Sequence, residues 1–120
     1  MSVGMPQSLY LDEFGSQVWS AFGTNPYHVG SSLTSKNWRD VDVRLILDDN
    51  TYDELGLGDP DRQHKNPKWV SLCMAYSALG TKITGLPIDF QIQQRTAANK
   101  LYDDSHPRSA IGLIGLRYPK

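Results

Sequence analysis

The chain has little of what would mark it for the cell exterior, a membrane or a nucleic-acid backbone. Cys73 is its only cysteine, so no internal disulfide can form and a reducing, cytoplasmic setting is expected. No run approaches the roughly 20 apolar residues that span a bilayer. The opening "MSVGMPQSLYLDEF" lacks the basic-then-apolar order of an export signal, and neither secretion nor membrane insertion is expected. Net charge is −1 with a pI near 6.2, which excludes an overall basic field that would hold nucleic acid non-specifically. Long repeats and low-complexity runs are absent too.

What is present fits one globular unit. Hydrophobic residues make up 39% and charged residues 21% of 120, which is near the average for folded domains. That length supports a single domain over residues 1–120 with a real core, and is too short for two ordinary ones.

Periodicity gives the expected elements. "SLYLDEFGSQVWSAFG" puts Leu11, Phe14, Val18 and Phe22 on one helical stripe, with Ser8 as cap and Gly23 as stop. "YHVGSS" reads as a short strand entering a glycine turn. In "RDVDVRLIL" the residues alternate: Val41, Val43, Leu45 and Leu47 face one side, Asp40, Asp42, Arg44 and Ile46 the other. The Asp, Gly, Asn and Pro content of "DDNTYDELGLGDPDRQHKNP" predicts a long surface loop with a helical turn near Tyr52 to Leu55. Asn66 and Pro67 predict the start of a second helix carrying Trp69, Leu72, Cys73, Tyr76 and Leu79 and ending near Gly80. "LPIDFQIQ" predicts a strand with Ile88, Phe90 and Ile92 toward the core and Asp89, Gln91 and Gln93 away from it. "RTAANKLYDD" reads as helix, and no element is assigned to the segment from His106 onward. The expected fold class is therefore α/β: a small mixed sheet of three to five strands, packed on one face by the helices near residues 8–22 and 67–80.

Three acids interrupt apolar strands: Asp40, Asp42 and Asp89. Side chains two apart on a strand project side by side, so Asp40 and Asp42 can share one hard cation, and an adjacent strand can add Asp89. Without a cation such a cluster raises its own pKa values. Mg²⁺ removes that cost, and its preference for a few carboxylates, water and phosphate oxygens suits phosphate chemistry.

"GSS" at 30–32, "DVDV" at 40–43 and "IDF" at 88–90 together resemble the three signature elements of the polymerase-beta-type nucleotidyltransferase superfamily, in its small single-domain members, the minimal nucleotidyltransferases. In that family a helix precedes a strand ending in Gly-Ser, a second strand carries Asp-x-Asp, and a later strand brings a third acid. The resemblance runs from about residue 8 to 95 and implies a nucleotidyltransferase-like fold. It also implies transfer of a nucleoside monophosphate from an NTP, such as ATP, to a hydroxyl on an RNA end, a protein or a small molecule. On this likeness Gly30, Ser31 and Ser32 approach the triphosphate. Asp40, Asp42 and Asp89 are the catalytic acids and hold Mg²⁺, or Mn²⁺ in its place, and Asp89 helps to activate the acceptor hydroxyl. The Ser31-to-Asp40 linker is slightly short for the family. With no room for an acceptor-selecting domain, a protein partner, a homo-oligomer or a very small substrate is expected.

Arg44 leaves two outcomes open, since it can bind a phosphate or pair with Asp42 in a metal-free relative. The alternative is a catalytically silent module of the same fold that binds a nucleotide or a protein partner. A structural assembly protein with surface acids is a third reading. Cys73 reads as core packing. His28 reads as a packed or edge residue close enough to touch substrate, and His64 and His106 as solvated loop residues. Lys36, Arg39, Arg62, Lys65 and Lys68 form a surface mixture that can serve as a basic rim. Trp38 and Tyr52 read as core caps, with base stacking as their functional alternative.

Overall fold

The structure, a computed structural model, describes residues 3–34, 39–101 and 107–113; for Ser31 and Thr34 it describes the backbone alone. Lys36, Trp38 and His106 lie outside the described residues.

Helix α1 spans Gln7–Phe22 and ends at Gly23, whose positive φ of 77° lets its N–H bond back to the Trp19 carbonyl. Ser8 does not cap it: the helix begins a residue earlier, after Pro6, and the Ser8 hydroxyl donates to Met5 Sδ. Strand β1 (Tyr27–Val29) leads through Gly30 into a single helical turn, α2 (Ser31–Thr34). Strand β2 covers Val41–Leu47.

The segment expected as a surface loop contains α3 (Asp49–Glu54) and a 3-10 helix (Pro60–Lys65). Residues that usually mark turns act here as caps. Asp48 Oδ1 accepts from the Thr51 N–H at 2.7 Å and Asp59 Oδ1 from Asp61 at 2.9 Å. Tyr52 and Leu57 from this segment are completely buried, and the Tyr52 hydroxyl donates to Gln63 Oε1. Tyr52 is thus a core residue, as one of its two readings held. Burial pushes its pKa up to about 12.

Helix α4 (Pro67–Thr84) starts as expected, with Asn66 Oδ1 accepting from the Trp69 N–H. It does not stop at Gly80. The αL cap is Gly85, and Gly80 lies where α1 crosses closely: a Cβ there would stand 2.9 Å from the Phe14 ring. Leu79, placed on the core stripe by spacing, is exposed; the stripe continues instead through Gly80 and Thr84. Strand β3 (Ile88–Gln94), α5 (Arg95–Leu101) and the short β4 (Ser109–Ala110) complete the chain's described elements.

The four strands form one mixed sheet in the order β3-β2-β1-β4. β1 is antiparallel to β2 and β4, and β2 is parallel to β3, with α3, the 3-10 helix and α4 as the crossover. Val41, Val43, Leu45, Leu47, Ile88, Phe90 and Ile92 form the core with Leu11, Phe14 and Val18 of α1 and with Trp69 and Cys73 of α4. Phe90 is its aromatic centre, edge-on to Phe14 at 6.0 Å and beside Tyr76 at 5.2 Å. The Cys73 thiol is buried and pushed up to about 11, so it is a packing group and not a nucleophile.

β3 is an edge strand that α4 seals. Ser77 Oγ accepts from the Phe90 N–H at 2.9 Å, Thr81 Oγ1 from the Ile88 N–H at 3.1 Å, and the Trp69 indole N–H donates to the Ile92 carbonyl at 2.8 Å. These side chains take the ladder positions a further strand would use. Ser77→Ala is expected to lower stability by about 1 kcal/mol, read by urea denaturation, because the Phe90 N–H loses its acceptor.

On the second face Ile46 and Gln93 are also buried, and α5 packs back on β2 and β3. Asp42, Arg44, Asp89 and Gln91 remain half-buried on that face. Among the described residues no helix is long and apolar enough to cross a membrane.

Candidate active site

Two strand pairings bring the first two sequence elements and the third together. Because β1 runs against β2, Val29 pairs with Asp42, and the chain leaves β1 at the start of β2. Because β3 runs along β2, Asp89 pairs with Asp42. Asp42 thus lies between the Gly30 turn and Asp89.

Gly30 is required there twice over. Its φ of 79° is in the left-handed region, and a Cβ on it would fall on the Asp42 carboxylate, Oδ2 first. The turn backbone therefore closes directly over the acid. Burial of the Asp42 carboxyl raises its pKa above the ordinary 3.8; Arg44 opposes that rise, while Asp89 and Asp40 add to it.

Arg44, two residues along β2, projects between the two carboxylates, and its side chain is only 11% exposed. Its Nη2 lies 3.3 Å from Asp89 Oδ2 and 3.8 Å from Asp42 Oδ1. Its Nη1 donates to the Asp89 carbonyl at 2.7 Å and to the Val43 carbonyl at 3.2 Å. The pairing with Asp42 that the sequence left open is present, but the tighter one falls on Asp89, a partner that only the β3 register could reveal.

Asp40 is not drawn into this pair. It sits exposed just ahead of β2 and acts on Asp42 through its charge. Among the described residues no three His, Cys, Asp or Glu side chains stand close enough to form a metal cluster. Asp42 and Asp89 are the two carboxylates that could hold Mg²⁺, an ion usually held by one or two carboxylates with water and phosphate oxygens.

The three residues of "GSS" separate in role. Gly30 forms the turn over Asp42, while the Ser31 side chain lies outside the described residues. Ser32 is completely buried, with Oγ 2.7 Å from His28 Nε2. No family model, curated protein or solved structure matches the chain.

His28 is a packed strand residue, as one of its readings held. It pairs with Val43, so the sheet alternation places it on the core face and not beside the acids. It is completely buried, which holds it neutral by lowering its pKa to about 4, and its Nδ1 has no hydrogen-bond partner. A His and a Ser four apart across a glycine carry no recognised pattern, so nothing in the sequence alone flags the pair.

Proposed function

We propose that the protein is a Mg²⁺-dependent nucleotidyltransferase of the polymerase-beta type, moving a nucleoside monophosphate from an NTP to a hydroxyl acceptor. The observation that carries this reading is the in-register pair Asp42 and Asp89 with the Gly30 backbone closed over Asp42. A helix, a strand running into Gly-Ser, a strand that begins within Asp-x-Asp and a later parallel strand with an acid follow in that family's order.

Each residue then has a task. Lacking a side chain, Gly30 allows the triphosphate to approach the turn backbone. Asp42 and Asp89 would hold Mg²⁺, with Asp40 reaching in from the exposed segment ahead of β2. The ion supplies charge neutralisation on the phosphate oxygens. Asp89, the more exposed of the pair at 42%, would take the proton of the acceptor hydroxyl as its oxygen bonds to the α-phosphorus and pyrophosphate departs. Arg44, released from Asp89, can turn its planar fork to a phosphate. Most of the catalysis would come from positioning and charge complementarity.

Arg44 also favours a second reading. Its guanidinium already neutralises both carboxylates, as it would in a silent module of this fold that binds a nucleotide or a protein partner without transfer. Calorimetric titration with ATP, GTP, CTP and UTP, with and without Mg²⁺, tests the first reading. Mg²⁺-dependent binding of at least one is expected; no binding of any of the four overturns it and leaves the silent module.

A further inference from the structure

We propose that the buried His28–Ser32 pair, on the reverse side of the sheet from the acids, is the positioning element that fixes the Gly30 turn and so sets how well the site receives a triphosphate. What the turn receives rests on the reading above. That the pair fixes the turn does not.

The bond spans the place where the chain changes direction. His28 belongs to β1 and is anchored there by its pairings with Val43 on one side and Ser109 on the other. Ser32 belongs to α2, a single turn of four residues. Helical turns that short have no stability of their own, because nucleation is unfavourable and too few bonds follow it. α2 must therefore be held by contacts with its surroundings, and the Ser32 hydroxyl against the His28 ring is one that reaches rigid strand. Within the turn itself the Leu33 N–H bonds to the Gly30 carbonyl at 3.1 Å.

A histidine is an expensive filler for this position. Both residues have no exposure at all, and burying Nδ1 without a partner carries a desolvation cost that a leucine or phenylalanine would avoid. The ring is thus better accounted for by the bond at Nε2 than by its volume. The consequence reaches the other face through Gly30, two residues from each partner, whose backbone rests on the Asp42 carboxylate with no room for a Cβ. A turn released from Ser32 would be free to lift from Asp42. The same reasoning gives Ser32 a holding role inside the fold in place of a direct phosphate contact.

Amide hydrogen exchange and Mg²⁺·ATP titration of wild type, Ser32→Ala, His28→Phe and His28→Gln provide the test. Phenylalanine keeps the ring and loses the bond, whereas glutamine can return a polar nitrogen near the Nε2 position. Exchange at Leu33 is expected to quicken about three- to tenfold in Ser32→Ala and His28→Phe while amides of β2 keep their rates. Mg²⁺·ATP affinity should fall by a similar factor, and His28→Gln should recover part of both. Leu33 and β2 amides accelerating together, or Leu33 unchanged in Ser32→Ala, would overturn the proposal. Should His28→Phe fail to fold, Ser32→Ala and His28→Gln decide together. If wild type binds no Mg²⁺·ATP, the nucleotide reading fails, and the ratio of Leu33 to β2 exchange still judges the pair.

Discussion

Asparagine at position 42 is expected to reduce nucleotidyl transfer by roughly a thousandfold while leaving the protein as stable as before or more so. The two effects have one cause. Asp42 is partly desolvated beneath the Gly30 turn, with Asp89 beside it, and both raise its pKa above the ordinary 3.8. A carboxyl held under such conditions stabilises the fold less at neutral pH than an uncharged group of its shape. Asparagine preserves the volume against Gly30 and removes the charge. The sign of the pH dependence follows from the same shift. The folded state binds the Asp42 proton more tightly than the unfolded chain, so the stability it contributes is present at and below pH 3.8 and is lost as pH climbs from there through the raised pKa. Asp42→Asn has no such loss at this site. Thermal melts of both proteins from pH 3.5 to 7 should therefore diverge as pH rises, in favour of the variant. Transfer of label from α-phosphate-labelled ATP checks the other half, and undiminished transfer in a folded Asp42→Asn would remove Asp42 from the mechanism.

The acid pattern was legible because a strand's two-residue period needs no tertiary information. Val41, Val43, Leu45 and Leu47 turned inward and Asp42 and Arg44 outward as alternation requires. Which acid meets which was not legible. Asp89 joins Asp42 through a parallel pairing set by a long crossover, and Asp40, with the same spacing signal, falls ahead of the strand. Glycine was ambiguous for a physical reason: at Gly85 it supplies a left-handed cap, while at Gly80 it supplies only the absence of a side chain against Phe14. Aspartate was ambiguous in the same way: Asp48 caps a helix of which only a turn near Tyr52 to Leu55 was expected, and Asp59 caps one that composition had assigned to loop. Ile46, on the face that alternation turns away from the core, is nevertheless buried, and α5 packs on β2 from that side.

Methionine in place of Arg44 is expected to lower stability by about 1–3 kcal/mol without Mg²⁺, and Mg²⁺ is expected to restore much of the loss. Removing the guanidinium leaves two carboxylates facing one another across paired strands, and strips the Asp89 carbonyl of its 2.7 Å donor. A fully buried pair broken in this way costs about 3–5 kcal/mol. The smaller figure applies because Asp89 is 42% exposed and water screens its charge. Methionine fills the stem of the arginine, so the variant tests charge more than packing. The divalent ion then takes the part that the arginine played, and a concentration a hundredfold above its Kd adds about 2.7 kcal/mol. Wild type should gain less from Mg²⁺ than the variant, since Arg44 competes for the same oxygens. Urea denaturation of both proteins across a Mg²⁺ series measures this directly and needs no knowledge of the acceptor. A variant that Mg²⁺ does not rescue would mean that Asp42 and Asp89 serve only as partners of Arg44, which is the arrangement of the silent module.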